Sequence, residues 1–196
     1  MDFYRSDNAI SNDYLYHNIG DSVALYTQDG KVLKQDEVLS YPCVGEDHPG
    51  LRYFRSVRTT GRNESTVVAL FSAKLLNTGT SYMKMWMPAS SDVSYFTALA
   101  PSAKTASSPY QSKPSLVVTM RKEKPAVEEP FVVVYEPISD KLSTGLIESV
   151  DRIKLDSLGK KGCAIKVKTK EGDTFTLVNI LKDGPVILNN QKCCCL

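Results

Sequence analysis

The sequence has few of the residues on which common catalytic and metal sites depend. Histidine occurs only twice, as His17 and His48, and the only tryptophan is Trp86. No P-loop, dinucleotide-binding fingerprint, nucleophile elbow or HExxH motif is present. The five cysteines have neither the C-x-x-C pairs of zinc ribbons nor the regular spacing of a disulfide framework. The sequence therefore predicts no metal site, no cofactor and no catalytic residue.

An excess of one charge and long apolar runs are also absent. Lysine and arginine number 24 against 22 acidic residues, so the formal net charge is only +2. Such a charge is too small to attract nucleic acids over a distance. No run approaches the roughly 20 apolar residues of a membrane helix, and the polar start MDFYRSDNAISNDY lacks a signal-peptide hydrophobic region. We therefore expect no nucleic-acid partner, no membrane span and no export signal.

The chain does contain about ten short β-favouring runs, separated by turn residues, and no long amphipathic helix. Antiparallel architectures have this pattern, so the sequence predicts an all-β fold, a two-layer antiparallel β-sandwich. The domain is expected to span residues 13–188, between a flexible segment, 1–12, and a flexible cysteine-rich tail, 189–196. We expect no function for Cys193–Cys195, although the tail partly resembles a prenylation signal.

Turn signals and alternation predict how several runs pair. Thr66–Leu76 and Ser81–Met87 are expected to form an antiparallel hairpin. Ser115–Arg121 and Pro130–Glu136 are β-branched runs bounded by prolines, and we expect them to be neighbours in the middle of a sheet. Residues 13–28 form either two strands or one bent strand. Residues 147–180 alternate most regularly and predict consecutive strands with a turn at 171–173.

The core is expected to contain five residues in or near its centre: Leu70, Trp86, Val117, Val132 and Val134. Trp86 shares a strand face with Tyr82, so the two rings form either core packing or a sugar-stacking platform. The large apolar area of aromatic side chains favours the core. The carboxylate pairs Glu46-Asp47 and Glu128-Glu129 are expected to be solvated, because neighbours in sequence do not converge on one point.

One small cluster has the chemistry of a carbohydrate contact. Tyr16, His17 and Asn18 combine an aromatic ring, an imidazole that titrates near neutral pH and an amide. They are the predicted carbohydrate-binding residues. The alternative for His17 is a half-buried strand residue bonded to the backbone, and it is favoured because no partner group is visible in the sequence.

Three stretches of the sequence together resemble the C-terminal β-sandwich part of heparinase II/III-like polysaccharide lyases. They are DYLYHNIGDSV at 13–23, MWMPASSDVSYFTALAPS at 85–102 and KPSLVVTMRKEKPAVEEPFVVVYEP at 113–137. The resemblance extends from about residue 13 to about residue 180. It implies a bacterial protein of the periplasm or cell surface that acts with uronic-acid polysaccharides such as glycosaminoglycans.

Such lyases cleave by β-elimination, and the resemblance implies that a helical toroid carries most of the catalytic residues. No segment of this chain resembles the toroid, so we expect the chain to correspond to the C-terminal part of a longer lyase. Three hypotheses follow: a structural or weakly carbohydrate-contacting module, a subunit of a split lyase, and a stand-alone carbohydrate-binding module. The partners implied are an acidic polysaccharide and a separate toroid domain. The sequence predicts no oligomeric state.

Overall fold

The computed structural model describes residues 2–5, 13–18, 22–37, 54–75, 79–100, 115–122, 126, 129–139, 145–153, 162–180, 186–188 and 191–193. All of the regular secondary structure assigned in this part of the chain is β-strand. None of it forms a helix able to cross a membrane. The fifteen strands are β1 (Asp2–Arg5), β2 (Asp13–Asn18), β3 (Ser22–Thr27), β4 (Asp36–Glu37), β5 (Arg55–Arg62), β6 (Val67–Leu75), β7 (Gly79–Met87), β8 (Val93–Ala100), β9 (Ser115–Lys122), β10 (Val134–Ile138), β11 (Ile147–Ile153), β12 (Gly162–Thr169), β13 (Thr174–Ile180), β14 (Val186–Leu188) and β15 (Gln191–Cys193).

Two large antiparallel sheets form the centre of the molecule. The six-stranded sheet has the order β1-β2-β9-β8-β5-β4, and the four-stranded sheet has the order β10-β7-β6-β3. The predicted hairpin is confirmed, since β6 and β7 pair along their whole length, with Val67 opposite Met87 and Leu75 opposite Gly79. Residues 13–28 contain two strands rather than one bent strand, because β2 and β3 belong to different sheets.

The main core fills the space between these two sheets. Alternation along each strand places every second side chain on this inner face. The fully or almost fully buried residues are Leu25, Val67, Ala69, Met85, Met87, Val93, Tyr95, Val118 and Met120. A second cluster on the opposite face of the six-stranded sheet contains Val57, Phe96, Ala98, Ala100 and Val117. The predicted antiparallel β-sandwich is therefore confirmed.

A third sheet, β11-β12-β13, covers the other face of the four-stranded sheet. Val68 and Trp86 of the central sheet pack here against Val150, Ile165 and Val167. The consecutive strands predicted for this region are confirmed, and Gly172 has a positive φ of 96° at the turn between β12 and β13. The described strands thus form three stacked layers, one more than the two predicted, because the four-stranded sheet is apolar on both faces.

The predicted core residues have different degrees of burial. Trp86 and Val117 are buried, which confirms the core assignment of the tryptophan. Val132 and Val134 are partly buried beside the third sheet, and Leu70 has intermediate exposure.

The expected pairing of residues 115–121 with 130–136 is wrong. β9 lies between β2 and β8 in one sheet, whereas β10 is an edge strand of the other and pairs with β7. Because β9 and β10 belong to different sheets, they are not neighbours.

The domain boundaries stay a prediction. Asp2–Arg5 pairs with β2, and Gln191–Cys193 pairs with β14, so both predicted flexible segments contain strand residues. Cys194, Cys195 and Leu196 lie outside the described residues.

Substitution of Met85 by alanine tests the central core. Met85 is completely buried between the two large sheets, so Met85→Ala should lower the free energy of unfolding by about 2–5 kcal/mol. Lys166→Ala, at an exposed position, is the control and should change it by less than about 0.5 kcal/mol. Urea denaturation of both variants measures the difference, and equal effects would contradict the assignment of this core.

Candidate functional site

The three predicted carbohydrate-binding residues lie next to one another on β2, in the six-stranded sheet. Tyr16, His17 and Asn18 pair in register with residues 119, 118 and 117 of β9, respectively. Directly opposed residues of an antiparallel pair share a face of the sheet. Val118 belongs to the main core and Val117 to the cluster on the opposite face.

This register divides the predicted cluster between the two faces of the sheet. Position 17 is on the face of the main core, whereas positions 16 and 18 are on the opposite face. The side chains of β2 lie outside the described residues, so the assignment of Tyr16, His17 and Asn18 as carbohydrate contacts stays a prediction.

An ionic cluster, which the sequence does not predict, joins β9 of the six-stranded sheet to β11 of the third sheet. Lys122 ends β9, and its Nζ lies 3.1 Å from Asp92 Oδ1 and 3.4 Å from Glu129 Oε2. Arg152 of β11 places Nη1 2.9 Å from Glu129 Oε1. We call Lys122, Asp92, Glu129 and Arg152 the ionic cluster. The expectation that Glu129 is solvated holds only in part, because its side chain keeps 34% exposure while its carboxylate is paired with Lys122 and Arg152.

Further polar groups surround the ionic cluster. The Ser90 hydroxyl lies 2.5 Å from Asp92 Oδ1 and 3.2 Å from Glu129 Oε1. Arg152 also donates to the carbonyl of Pro130 at 3.3 Å. Tyr95 is fully buried nearby, and burial raises the pKa of its hydroxyl, an effect that the charge of Arg152 opposes. The Tyr95 hydroxyl has no hydrogen-bond partner among the described residues.

The burial of the ionic cluster limits what it can do chemically. The Lys122 side chain has 0% exposure, so no polymeric substrate can reach its ammonium group. Its charge is compensated by Asp92 and Glu129 within the protein, and the buried carboxylate of Asp92 requires a cation at this position. The cluster therefore links β9 of the six-stranded sheet to β11 of the third sheet through Glu129.

A second buried carboxylate joins the central and third sheets. Glu136 of β10 accepts hydrogen bonds from Trp86 Nε1 at 3.0 Å and from the backbone N–H groups of Leu146 and, at 2.8 Å, Ile147. These three donors satisfy most of the hydrogen-bonding capacity of a carboxylate. Glu136 therefore holds the start of β11 against the edge of the four-stranded sheet.

Position 145 requires glycine because the carboxyl group of Glu136 lies directly beside it. Its φ is +71°, which side chains disfavour, and a Cβ atom there would collide with the carboxyl group of Glu136. The close backbone approach allows the neighbouring N–H of Leu146 to reach Glu136.

A basic and aromatic surface lies beside Glu136. Lys84 pairs in register with Glu136, and its Nζ is 6.0 Å from the centroid of the Trp86 ring. Lys170 follows β12 and donates from Nζ to the carbonyl of Gly145 at 3.0 Å. Tyr82 is half-buried two residues before Lys84, on the same strand face. We call Tyr82, Lys84, Lys170 and the exposed Leu146 the Lys84 patch.

Burial and two neighbouring charges all shift the pKa of Lys84. Burial lowers its pKa most strongly, the carboxylate of Glu136 raises it, and the nearby charge of Lys170 lowers it further. Two cations therefore share the neighbourhood of one carboxylate that already accepts three N–H groups.

No metal-binding group was found within the described ranges, where no three His, Cys, Asp or Glu side chains are arranged to hold an ion. Cys163 is a free thiol of intermediate exposure, and burial raises its pKa, which disfavours the reactive thiolate.

The described strands define a layered β-sandwich module. The chain is 35% identical over 143 residues to an endo-acting ulvan lyase of Formosa agariphila. The match covers 70% of this chain but only 17% of that protein, so the chain spans less than a fifth of its relative. No protein-family model matches the chain. No solved structure matches it either.

Removal of the buried lysine tests the role of the ionic cluster. Lys122→Met should lower the free energy of unfolding by about 3–5 kcal/mol, because it leaves two carboxylates without their shared cation. Lys34→Met removes the lysine of an exposed ion pair with Asp36 and should cost less than about 1 kcal/mol. Urea titration distinguishes the two, and a Lys122 variant as stable as the Lys34 variant would show that the cluster stabilises nothing.

A matched pair of glycine variants tests the contact with Glu136. Gly145→Ala and Gly172→Ala both place a side chain at positive φ, which costs about 1–2 kcal/mol. Only Gly145 faces a collision, because the space beside Gly172 is open. Gly145→Ala should therefore destabilise by a further 1–3 kcal/mol, approximately the cost of overpacking. Thermal unfolding measures the difference, and equal melting temperatures would contradict the close approach.

Proposed function

We propose that this chain is a non-catalytic module of a lyase that acts on an acidic polysaccharide, and that the module contacts the polysaccharide. The observation that carries the proposal is the similarity to the ulvan lyase, which extends over 70% of the chain. The all-β sandwich is compatible with such a module, because the described part consists of layers rather than of a toroid.

The heparinase II/III-like resemblance supplies the finer part of the proposal. In such an enzyme β-elimination requires a base for the proton next to the carboxylate, a group that neutralises the carboxylate and an enclosing cleft. We assign these tasks to another part of a longer protein or to a separate toroid chain. The burial of Lys122 supports this division of tasks, because the ammonium group at the centre of the ionic cluster is inaccessible to a polymer.

For the sugar contact on β2, the register favours Tyr16 and Asn18 over His17. The register places the two positions on the same face of the six-stranded sheet, opposite the face of the main core. We assign His17 a structural role on the opposite face.

The proposal predicts binding without turnover. The isolated chain should retard in an affinity gel that contains ulvan but not in one that contains neutral dextran. It should release no unsaturated uronate, followed by ultraviolet absorbance, because we assign the groups that accelerate elimination to another part of the lyase or to a separate chain.

Variants of β2 complete this experiment. Tyr16→Phe combined with Asn18→Ala should weaken retardation, whereas His17→Ala should leave it unchanged if the variant is folded. Turnover above a buffer control would overturn the non-catalytic assignment, and turnover only after addition of a toroid chain would favour a split lyase. Failure to bind any acidic polysaccharide would overturn the proposed function.

A further inference from the structure

The outer strand of the third sheet differs from the other strands that end a large sheet. The three large sheets have six edge strands, which are β1, β3, β4, β10, β11 and β13. A sheet edge presents backbone N–H and C=O groups that can pair with another chain, and proteins protect it with charged side chains, proline or a bulge. Four of the edge strands, β1, β4, β10 and β11, contain charged residues. These are Asp2, Arg5, Asp36, Glu37, Glu136, Glu148, Asp151 and Arg152.

The fifth edge, β3, is covered by the chain that follows it. The N–H of Leu33 donates to the carbonyl of Leu25 at 2.9 Å, and the N–H of Thr27 donates to the carbonyl of Lys31 at 2.8 Å. β13 has neither kind of protection. Its sequence, TFTLVNI, contains no charge, proline or glycine, and none of the described strands pairs with its outer side. Among these six edges, β13 is therefore the one that is open to a further strand.

β13 also carries exposed apolar side chains on the face that continues the core. Phe175 and Leu177 are 53% and 55% exposed. They stand opposite Val167 and Ile165 of β12, which are buried against the four-stranded sheet. Directly opposed residues share a face of a sheet. The apolar layer between the central and third sheets therefore continues onto β13, where it becomes half-exposed.

The sequence of β13 is compatible with a second copy of itself. A two-fold axis perpendicular to the sheet at Leu177, the middle of the strand, pairs all seven residues with their counterparts in antiparallel orientation. Leu177 then faces its own counterpart, and Phe175 faces Asn179. No two charges meet in this arrangement, and the apolar side chains of both copies lie on the same face of the joined sheet.

We propose that β13 pairs antiparallel with β13 of a second copy of this chain, so that the two third sheets become one continuous sheet. Pairing of β13 with β11 of another copy would instead leave an open edge at each end and lead to a filament. The charges of β11 and its register shift between Ile147 and Ser149 disfavour that pairing. The inference goes beyond the proposed function and does not rest on it.

The expected contact between the copies is small. A single pair of seven-residue strands with two exposed apolar side chains each buries less than the roughly 1,200 Å² of total surface at which stable complexes begin. We therefore expect a weak dimer whose population depends on protein concentration.

Charge substitutions at the two-fold axis give the sharpest test. Sedimentation velocity of the full chain, with a reducing agent to prevent disulfides between copies, should show a monomer–dimer equilibrium across a concentration series. Leu177→Lys places two ammonium groups opposite each other, and Leu177→Glu places two carboxylates there. Each variant alone should therefore raise the dissociation constant at least about tenfold. An equimolar mixture of the two variants should form a heterodimer, because the opposed charges then attract.

Val32→Lys is the matched control for these substitutions. It changes an apolar residue that is 66% exposed and lies beside β3 rather than β13, so the dissociation constant should stay within about twofold. Equal melting temperatures of all variants at low protein concentration verify folding.

Amide hydrogen exchange gives a second readout that locates the contact. Every second N–H of β13 points away from β12, since hydrogen bonds to one neighbour alternate along an antiparallel strand. These amides should become protected as the protein concentration rises, and Leu177→Lys should remove that protection. The amides of β12, which is paired on both sides, should not change with concentration.

Four results would contradict the proposal. A wild-type chain that stays monomeric at its highest soluble concentration has no such contact, and a dimer that persists in both Leu177 variants uses another surface. Protection of β13 that is independent of concentration would show that another segment of the same chain covers this edge. Filaments that disappear in Leu177→Lys would show head-to-tail pairing in place of the two-fold arrangement.

Discussion

The β6–β7 hairpin is apolar on both of its faces, and the rest of the described structure depends on this constraint. Met85 and Met87 point toward the six-stranded sheet, while Val68 and Trp86 point toward the third sheet. A sheet with two apolar faces must be covered twice to remove them from water. The third sheet therefore completes the burial of the central one. Thr66 adds a polar link, since its hydroxyl donates to the carbonyl of Val150 at 2.7 Å.

The parts of the fold that the sequence predicts are those that depend on neighbours along the chain. The β6–β7 hairpin and the strands of the third sheet follow from alternation and from turns such as that at Gly172. The pairing of β9 with β10 was predicted wrongly because both runs have the composition of buried strands, and composition does not specify the layer. The ion pairs of Glu129 with Lys122 and Arg152 hold the connection that carries the chain between layers.

The candidate sites were less predictable for the same reason. Glu136 accepts a hydrogen bond from Trp86, which is 50 residues away in the sequence. Lys122 donates to Asp92, which is 30 residues away. Two signals were present: a lysine at the end of an otherwise apolar run, and a glutamate within PFVVVYEP. Each charge in such a run needs a partner when it is buried. The sequence indicates that a partner is needed, but only the sheet order identifies it.

The contrast between the buried ionic cluster and the Lys84 patch has a consequence for the response to salt. Mobile ions screen charges on a surface beyond about 8 Å at physiological ionic strength, but they do not enter a sealed interior. The ion pairs of Lys122 should therefore keep their strength in concentrated salt. Exposed cations such as Lys170 are screened under the same conditions. In a saline medium, this molecule should therefore keep its layered architecture while the electrostatic potential of its surface changes with the surrounding electrolyte.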